Sequence, residues 1–195
     1  MVELQHGPAP EELTQYLAQH PHAAPKDFDD AAFAPAKRAV RASLHRDQDG
    51  LCVYCECSLQ PTGGQVDHIK PKGGPNAYPH LSFVYQNYAY SCINNRTCGQ
   101  KKNSGLLPIE PGPGCNEDWT LSTDGTIEAV AGLTRQRRHQ VTQTCGMLGL
   151  NKDAGLVDDR KRWLSAAMTI AQAAPAQLAD FLRTAPFRHI MAAAF

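Results

Sequence analysis

The sequence predicts an α+β fold, with helical segments at both ends and, between them, a short turn-rich module crowded with cysteine, histidine and asparagine. Three observations carry this expectation. Apolar residues recur at helical spacing within 1–50 and again beyond about residue 134. Five of the seven cysteines fall between positions 52 and 98. A strand–turn–strand pattern over 119–130 divides that stretch from the second helical region. At 195 residues and 42% hydrophobic, the chain is expected to form one domain: a helical region 1–50, a core 51–105, and a hairpin with C-terminal helices over 106–195.

Each element has its own signal. Pro10 with Glu11 and Glu12 marks a first helix start, where acidic residues suit the helix dipole. From Asp29 to Asp49 the residues Ala32, Phe33, Ala36, Val40 and Leu44 recur at helical spacing, while Lys37, Arg38, Arg41 and Arg46 project elsewhere. Pro35 lies in the first turns of that helix or marks its start. The segments WTLS and TIEAV flank Asp124 and Gly125 as a hairpin. Helices follow from Thr134, broken by Gly149, Pro175 and Pro186. Trp163, Leu164, Met168, Ile170, Leu178, Phe181 and Leu182 are expected mainly to pack in the core, with a docking face for a partner as the other use of such a stripe.

Composition excludes several classes. Nineteen basic residues balance nineteen acidic ones, so the whole molecule does not attract nucleic acid electrostatically, although a local basic patch still can. No window is long and apolar enough to span a membrane, and the opening MVELQHGPAPEEL lacks the basic and apolar regions of a leader. A cytoplasmic protein is expected. An odd number of cysteines without a leader points to metal chemistry and away from a disulfide framework. Cys145 reads as a small core residue, and Cys115 has no partner at ligand spacing.

Cys52 and Cys55 form a C-x2-C knuckle, and Cys92 and Cys98 a looser C-x5-C pair. Two such pairs are the ligand set of a closed structural zinc site, a staple that a module with little core of its own needs. Cys57 is an alternative to Cys55, although C-x4-C makes a poorer knuckle. Between the pairs lies Val66-Asp67-His68-Ile69. On a strand, Asp67 and His68 point to opposite faces, and an isolated Asp-His pair is usually one exposed and one buried polar residue. Here Lys70 and Lys72 follow it, Asn87 sits in YQNYAYSC, and Lys101 and Lys102 follow the last cysteine.

That order, C-x2-C, D-H-I-x-P, N, C, C-x3-K, resembles the HNH or ββα-metal endonuclease family. The wider series CVYCE, VDHIKPK, C-G-x-K-K, a hairpin, LGLN and LVDDRKRWL is similar to the PtuB-like HNH endonucleases of Septu and retron anti-phage systems, which are encoded beside an ABC/SMC-like ATPase. The resemblance implies a ββα-metal core flanked by helices, acting as a nuclease on DNA. It implies His68 as general base, Asn87 as the asparagine that orients it, Asp67 as a ligand of a catalytic Mg²⁺ or Mn²⁺, and Cys52, Cys55, Cys92 and Cys98 as the structural Zn²⁺ site. A neutral imidazole suits water activation near pH 7, and a carboxylate suits a hard cation. Lys70, Lys72, Arg96, Lys101 and Lys102 are the expected phosphate contacts, and Arg135, Arg137 and Arg138 form a second basic run of either use. The sequence departs from the family at Gly99, the usual place of the second metal ligand. Asn103, one turn beyond on the same face, is the first substitute, Gln100 the second and Asn95 the third. The other readings are a non-catalytic zinc-ribbon module that binds nucleic acid, and a stand-alone HNH nuclease without an ATPase.

Overall fold

The computed structural model describes residues 1–192 and 194–195. Helices α1 (Glu11–Gln19) and α2 (Ala34–Asp47) pack together, joined by short 3-10 turns at Pro25–Asp29 and Ala31–Phe33. Leu13, Tyr16, Phe33, Ala36, Val40 and Leu44 are buried between them and the strands, which is the apolar face expected from spacing. Pro35 occupies the first turn of α2, where its missing N–H has no helical acceptor to lose. The helix ends at Gln48, which is fully buried. Its side chain accepts from the Tyr90 backbone N–H at 2.7 Å and donates to the Tyr90 and Leu51 carbonyls, each at 2.8 Å. The second strand is thereby tied to α2 without leaving amide groups unsatisfied.

Strand β1 (Gly64–His68) pairs antiparallel with β2 (Tyr88–Cys92), in a register running from Gly64 opposite Cys92 to His68 opposite Tyr88. Strand alternation then sorts the faces. Val66, His68, Tyr88 and Tyr90 look towards α1 and α2, and Gln65, Asp67, Ala89 and Ser91 look the other way. Helix α3 (Cys98–Lys102) lies on that second face, completing a ββα unit. The approach is close: the Gly99 N–H donates to Ser91 Oγ at 3.1 Å. A Cβ on Gly99 would stand 3.0 Å from that oxygen and 3.1 Å from Asp67 Cγ.

The second half of the chain adds the predicted hairpin, β3 (Trp119–Leu121) with β4 (Ile127–Ala129). Then come α4 (Arg135–Leu148), α5 (Ala154–Ala173), α6 (Leu178–Thr184) and α7 (Arg188–Ala192). Thr134 and Asp153 cap α4 and α5 by accepting from Arg137 and Leu156 backbone N–H groups. Gly149 ends α4 at φ +65°, where a Cβ would meet the Arg96 carbonyl at 2.5 Å, so glycine is required by backbone and by space. Arg160 of α5 is fully buried and donates to the Gly125 and Leu150 carbonyls, each at 2.8 Å, pinning the hairpin turn to the α4–α5 junction. Cys145 is buried in this core, as its surroundings in the sequence suggested. Leu164 is buried too, whereas Trp163 packs on Phe181 at the edge and Met168 is exposed.

Candidate active site

The segment 51–58 folds back on itself, with Leu51 bridged to Ser58 and the Cys52 N–H donating to the Cys57 carbonyl at 2.9 Å. Glu56 takes a left-handed backbone, φ +62°, and this reversal returns Cys57 towards Cys55, whose Sγ atoms are 3.3 Å apart. The Sγ atoms of Cys52, Cys55, Cys57 and Cys92 all lie within 4.8 Å of one another. Cys98, fully buried at the start of α3, has its thiol in contact with those of Cys52, Cys55 and Cys92. The thiols therefore number five, and Cys57 joins Cys55 instead of replacing it. Hydrogen bonds from Cys52, Cys55, Cys57 and Cys98 hold the Cys92 thiol well below its usual range, the state in which sulfur binds a metal. Tetrahedral Zn–S bonds of about 2.3 Å place sulfurs about 3.8 Å apart, so the cluster suits a closed thiolate site. It can hold a metal ion.

Asp67 and His68 take opposite faces of β1, and both reach one cleft. His68 is buried against Phe28 and Tyr88, with ring centroids 4.5 and 5.1 Å away. Its Nε2 lies 3.0 Å from the Ser82 carbonyl oxygen, which also accepts from the Tyr88 hydroxyl at 2.6 Å. A carbonyl can only accept, so Nε2 carries the hydrogen and Nδ1 keeps its lone pair. Burial pulls the imidazole down to about 4, so it is neutral at pH 7. Asp67 accepts from the Tyr54 hydroxyl at 2.6 Å on Oδ2, which also pairs with Lys102 Nζ at 3.2 Å. Burial raises its carboxyl above the usual range, against the pull of Lys102.

Asn87 does not bond His68. Its Oδ1 accepts from the Lys70 N–H at 2.8 Å, and its Nδ2 donates to the Lys70 and Leu81 carbonyls at 2.9 and 3.2 Å. The side chain clamps the two ends of the loop 70–81, next to the Ser82 carbonyl that holds His68. Its bearing on the imidazole is one step removed.

The helix substitutes are placed by the shortness of α3. Asn103 stands just beyond the helix at φ +50°, exposed but lining the cleft of Asp67 and His68. Gln100 donates to Gln65 at 2.6 Å on the outer surface. Asn95 is exposed in the loop before α3. Gly99 explains itself: α3 approaches β1 too closely for a side chain at the usual ligand position. Asp67 Oδ1 has no hydrogen-bond partner among the described residues. A lone carboxylate oxygen, with an amide lining the same cleft, is a donor set that suits a hard cation keeping most of its water.

The expected phosphate contacts divide. Lys72 lines the cleft. Lys102 is buried beneath it, donating to the His68 carbonyl at 2.8 Å as well as pairing with Asp67, and so is not free to meet phosphate. Lys70 lies on the far side of the 70–81 loop, near Tyr78 and Glu110. Arg96 and Lys101 lie against Gly149, away from the cleft, and Arg137 of the second basic run pairs with Asp118. Residues not singled out from the sequence complete the cleft, a cavity of about 610 Å³: Phe28 and Asp29, and Lys37 and Arg41 of α2. The signal for the last two was the basic face of α2, which reads equally as a solvated surface.

No helix among the described residues is long and apolar enough to cross a membrane. Comparison with family profiles finds no match. The chain is 38% identical, over an alignment of 201 positions covering 98% of each protein, to a protein of Vibrio cholerae serotype O1 biovar El Tor named "Retron Vc95 putative HNH endonuclease". With a ββα unit carrying Asp-His on its first strand and cysteines at its base, and a full-length relative of that name, the chain belongs to the HNH endonuclease family.

Proposed function

We propose that this protein is a metal-dependent endonuclease that hydrolyses phosphodiester bonds of DNA. The observation that carries this reading is His68, a neutral imidazole fixed by the Ser82 carbonyl, beside Asp67 in a cleft lined by basic side chains. In this reading His68 Nδ1 takes the proton of the attacking water. An imidazole fixed in one tautomer needs no reorganisation to do so. Asp67, with Asn103 from the same cleft, would hold Mg²⁺ or Mn²⁺, which when bound neutralises charge on the reacting phosphate. Lys102 keeps the Asp67 carboxylate in place from below, and Asn87 keeps the loop that holds His68. Cys52, Cys55 and Cys92, with Cys98 or Cys57 as fourth ligand, would hold Zn²⁺ as a staple between the knuckle and β2–α3. We read 1–195 as a single domain, a reading supported by the two apolar clusters, each of which includes residues of β2.

The retron name of the relative and the PtuB-like order of motifs support a role in anti-phage defence beside an ABC/SMC-like ATPase. The exposed Met168 and the half-buried Trp163–Phe181 pair on the C-terminal helices would offer such a partner an apolar face. The test is relaxation of supercoiled plasmid by the purified protein with Mg²⁺ or Mn²⁺. A protein that binds the plasmid and never nicks it is a zinc-ribbon module, and cleavage with no ATPase gene alongside marks a stand-alone nuclease.

A further inference from the structure

The mouth of the cleft holds an arrangement that the hydrolytic site does not use. Asp29, at the end of the turn 25–29, reaches across with both carboxylate oxygens: Oδ1 lies 2.9 Å from Lys37 Nζ and Oδ2 lies 2.7 Å from Lys72 Nζ. The two ammonium groups come from α2 and from the loop after β1, and both rest over the Phe28 ring, at 4.2 and 4.5 Å. The same ring packs edge-on against His68, with centroids 4.5 Å apart. Arg41, one turn along α2 from Lys37, lines the same cleft, and its Nε is shielded from water and without a hydrogen-bond partner among the described residues. Two ammonium groups thus meet one aromatic ring from the imidazole, with Arg41 on the same cleft, and the anion between the two belongs to a side chain that is 68% exposed.

We infer that Lys37, Arg41 and Lys72 form a phosphodiester subsite for duplex DNA, and that Asp29 stands where a backbone phosphate flanking the scissile one binds. A phosphodiester, like a carboxylate, presents two anionic oxygens side by side, so it can take both ammonium groups at once, with the positive charge of Arg41 on the wall of the same cleft. The ion pair it displaces costs little, because exposed carboxylate–lysine pairs are weak. Lysines laid on an aromatic face keep their positions when the carboxylate leaves. The subsite deepens the nuclease reading and rests on it for the identity of the ligand.

The experiment measures binding of a short duplex by fluorescence anisotropy, in buffer free of Mg²⁺, Mn²⁺ and chelator, so that the DNA stays intact and zinc is undisturbed. Asp29→Asn should lower Kd about threefold or more, whereas Asp180→Asn, which makes the same charge change at the remote exposed pair with Arg183, should leave it within about 1.5-fold. Arg41→Ala and Lys37→Ala should each raise Kd about tenfold and flatten the salt dependence by about one unit. If the wild type nicks plasmid but Asp29→Asn binds no better than Asp180→Asn, the subsite is refuted and the nuclease reading stands. If Asp29→Asn tightens duplex binding in a protein that nicks nothing, the subsite stands and the nuclease reading falls. A gain with single-stranded RNA and none with duplex refutes DNA as the ligand.

Discussion

Replacing Lys102 with methionine, which has similar reach and no charge, isolates the electrostatic role of the buried ammonium. In the native protein that group is 4% exposed, donates to the His68 carbonyl at 2.8 Å and pairs with Asp67 at 3.2 Å. Breaking a buried ion pair by removing one partner usually costs about 3–5 kcal/mol, because the remaining charge stays desolvated. Two features put Lys102→Met at the lower end. The Tyr54 hydroxyl still donates to Asp67, and burial has already raised the carboxyl, so it can take up a proton. A loss of about 3 kcal/mol in a chain of this size lowers Tm by about 6–12 °C. The penalty arises from an Asp67 pKa raised above its unfolded value. It is therefore largest at neutral pH and is relieved as pH falls towards about 4, where the unfolded carboxylate also protonates. Thermal unfolding of zinc-replete protein reads this directly, with Asp67→Asn added as the second side of a double-mutant cycle. The pair Asp67→Asn with Lys102→Met should recover most of the lost stability. A single variant melting within about 2 °C of wild type, or a double variant lower than both singles, would show that the Asp67–Lys102 pair does not hold the site.

Three further outcomes follow from the geometry. Cys92→Ser should abolish stoichiometric zinc by elemental analysis and much of the soluble yield, whereas Cys57→Ser and Cys98→Ser should differ, the one that retains zinc being outside the coordination shell. Asn87→Ala removes the clamp on the 70–81 loop and leaves His68 in place, so cleavage should fall about 10–100-fold while zinc content stays unchanged, and loss of zinc would mean that the fold had failed instead. Asn103→Ala should raise the Mg²⁺ or Mn²⁺ concentration for half-maximal cleavage about tenfold, about 1.4 kcal/mol of binding, and an unchanged titration would remove Asn103 from the site.

The helices, the second hairpin and the Asp-His strand were legible because each rests on local periodicity, caps or a turn signal. Cys52, Cys55 and Cys92 were legible from spacing. The fifth thiol was not, because Cys57 enters the cluster through the left-handed backbone of Glu56, which no residue-type preference announces. Lys102 was read as a surface phosphate contact because lysine is almost always exposed, and only the pairing with Asp67 makes its burial tolerable. Asn103 was placed on the helix by i, i+4 spacing, but α3 ends at Lys102. The second wall of the cleft, with Phe28, Asp29, Lys37 and Arg41, comes from a segment far away in the chain. Its basic residues carry the pattern of any solvated helix face, and only tertiary packing gives them their position.

The most direct test of the account is cleavage of supercoiled plasmid by wild type and His68→Ala at equal zinc content, followed across pH. His68 is buried among aromatic rings, so the alanine variant is expected to melt lower by about 1–2 kcal/mol while keeping zinc. Wild type should nick plasmid with Mg²⁺ or Mn²⁺, and His68→Ala should lose about 10²–10⁴ in rate. Burial lowers the imidazole to about 4, so the neutral base is present throughout the neutral range. The wild-type rate should hold as pH falls through 6.5, the ordinary imidazole value, and decline at lower pH as His68 protonates near 4 and the Asp67 carboxyl, itself raised by burial, takes up a proton. A zinc-replete, folded His68→Ala protein that nicks plasmid at the wild-type rate would contradict the assignment of His68 as the base.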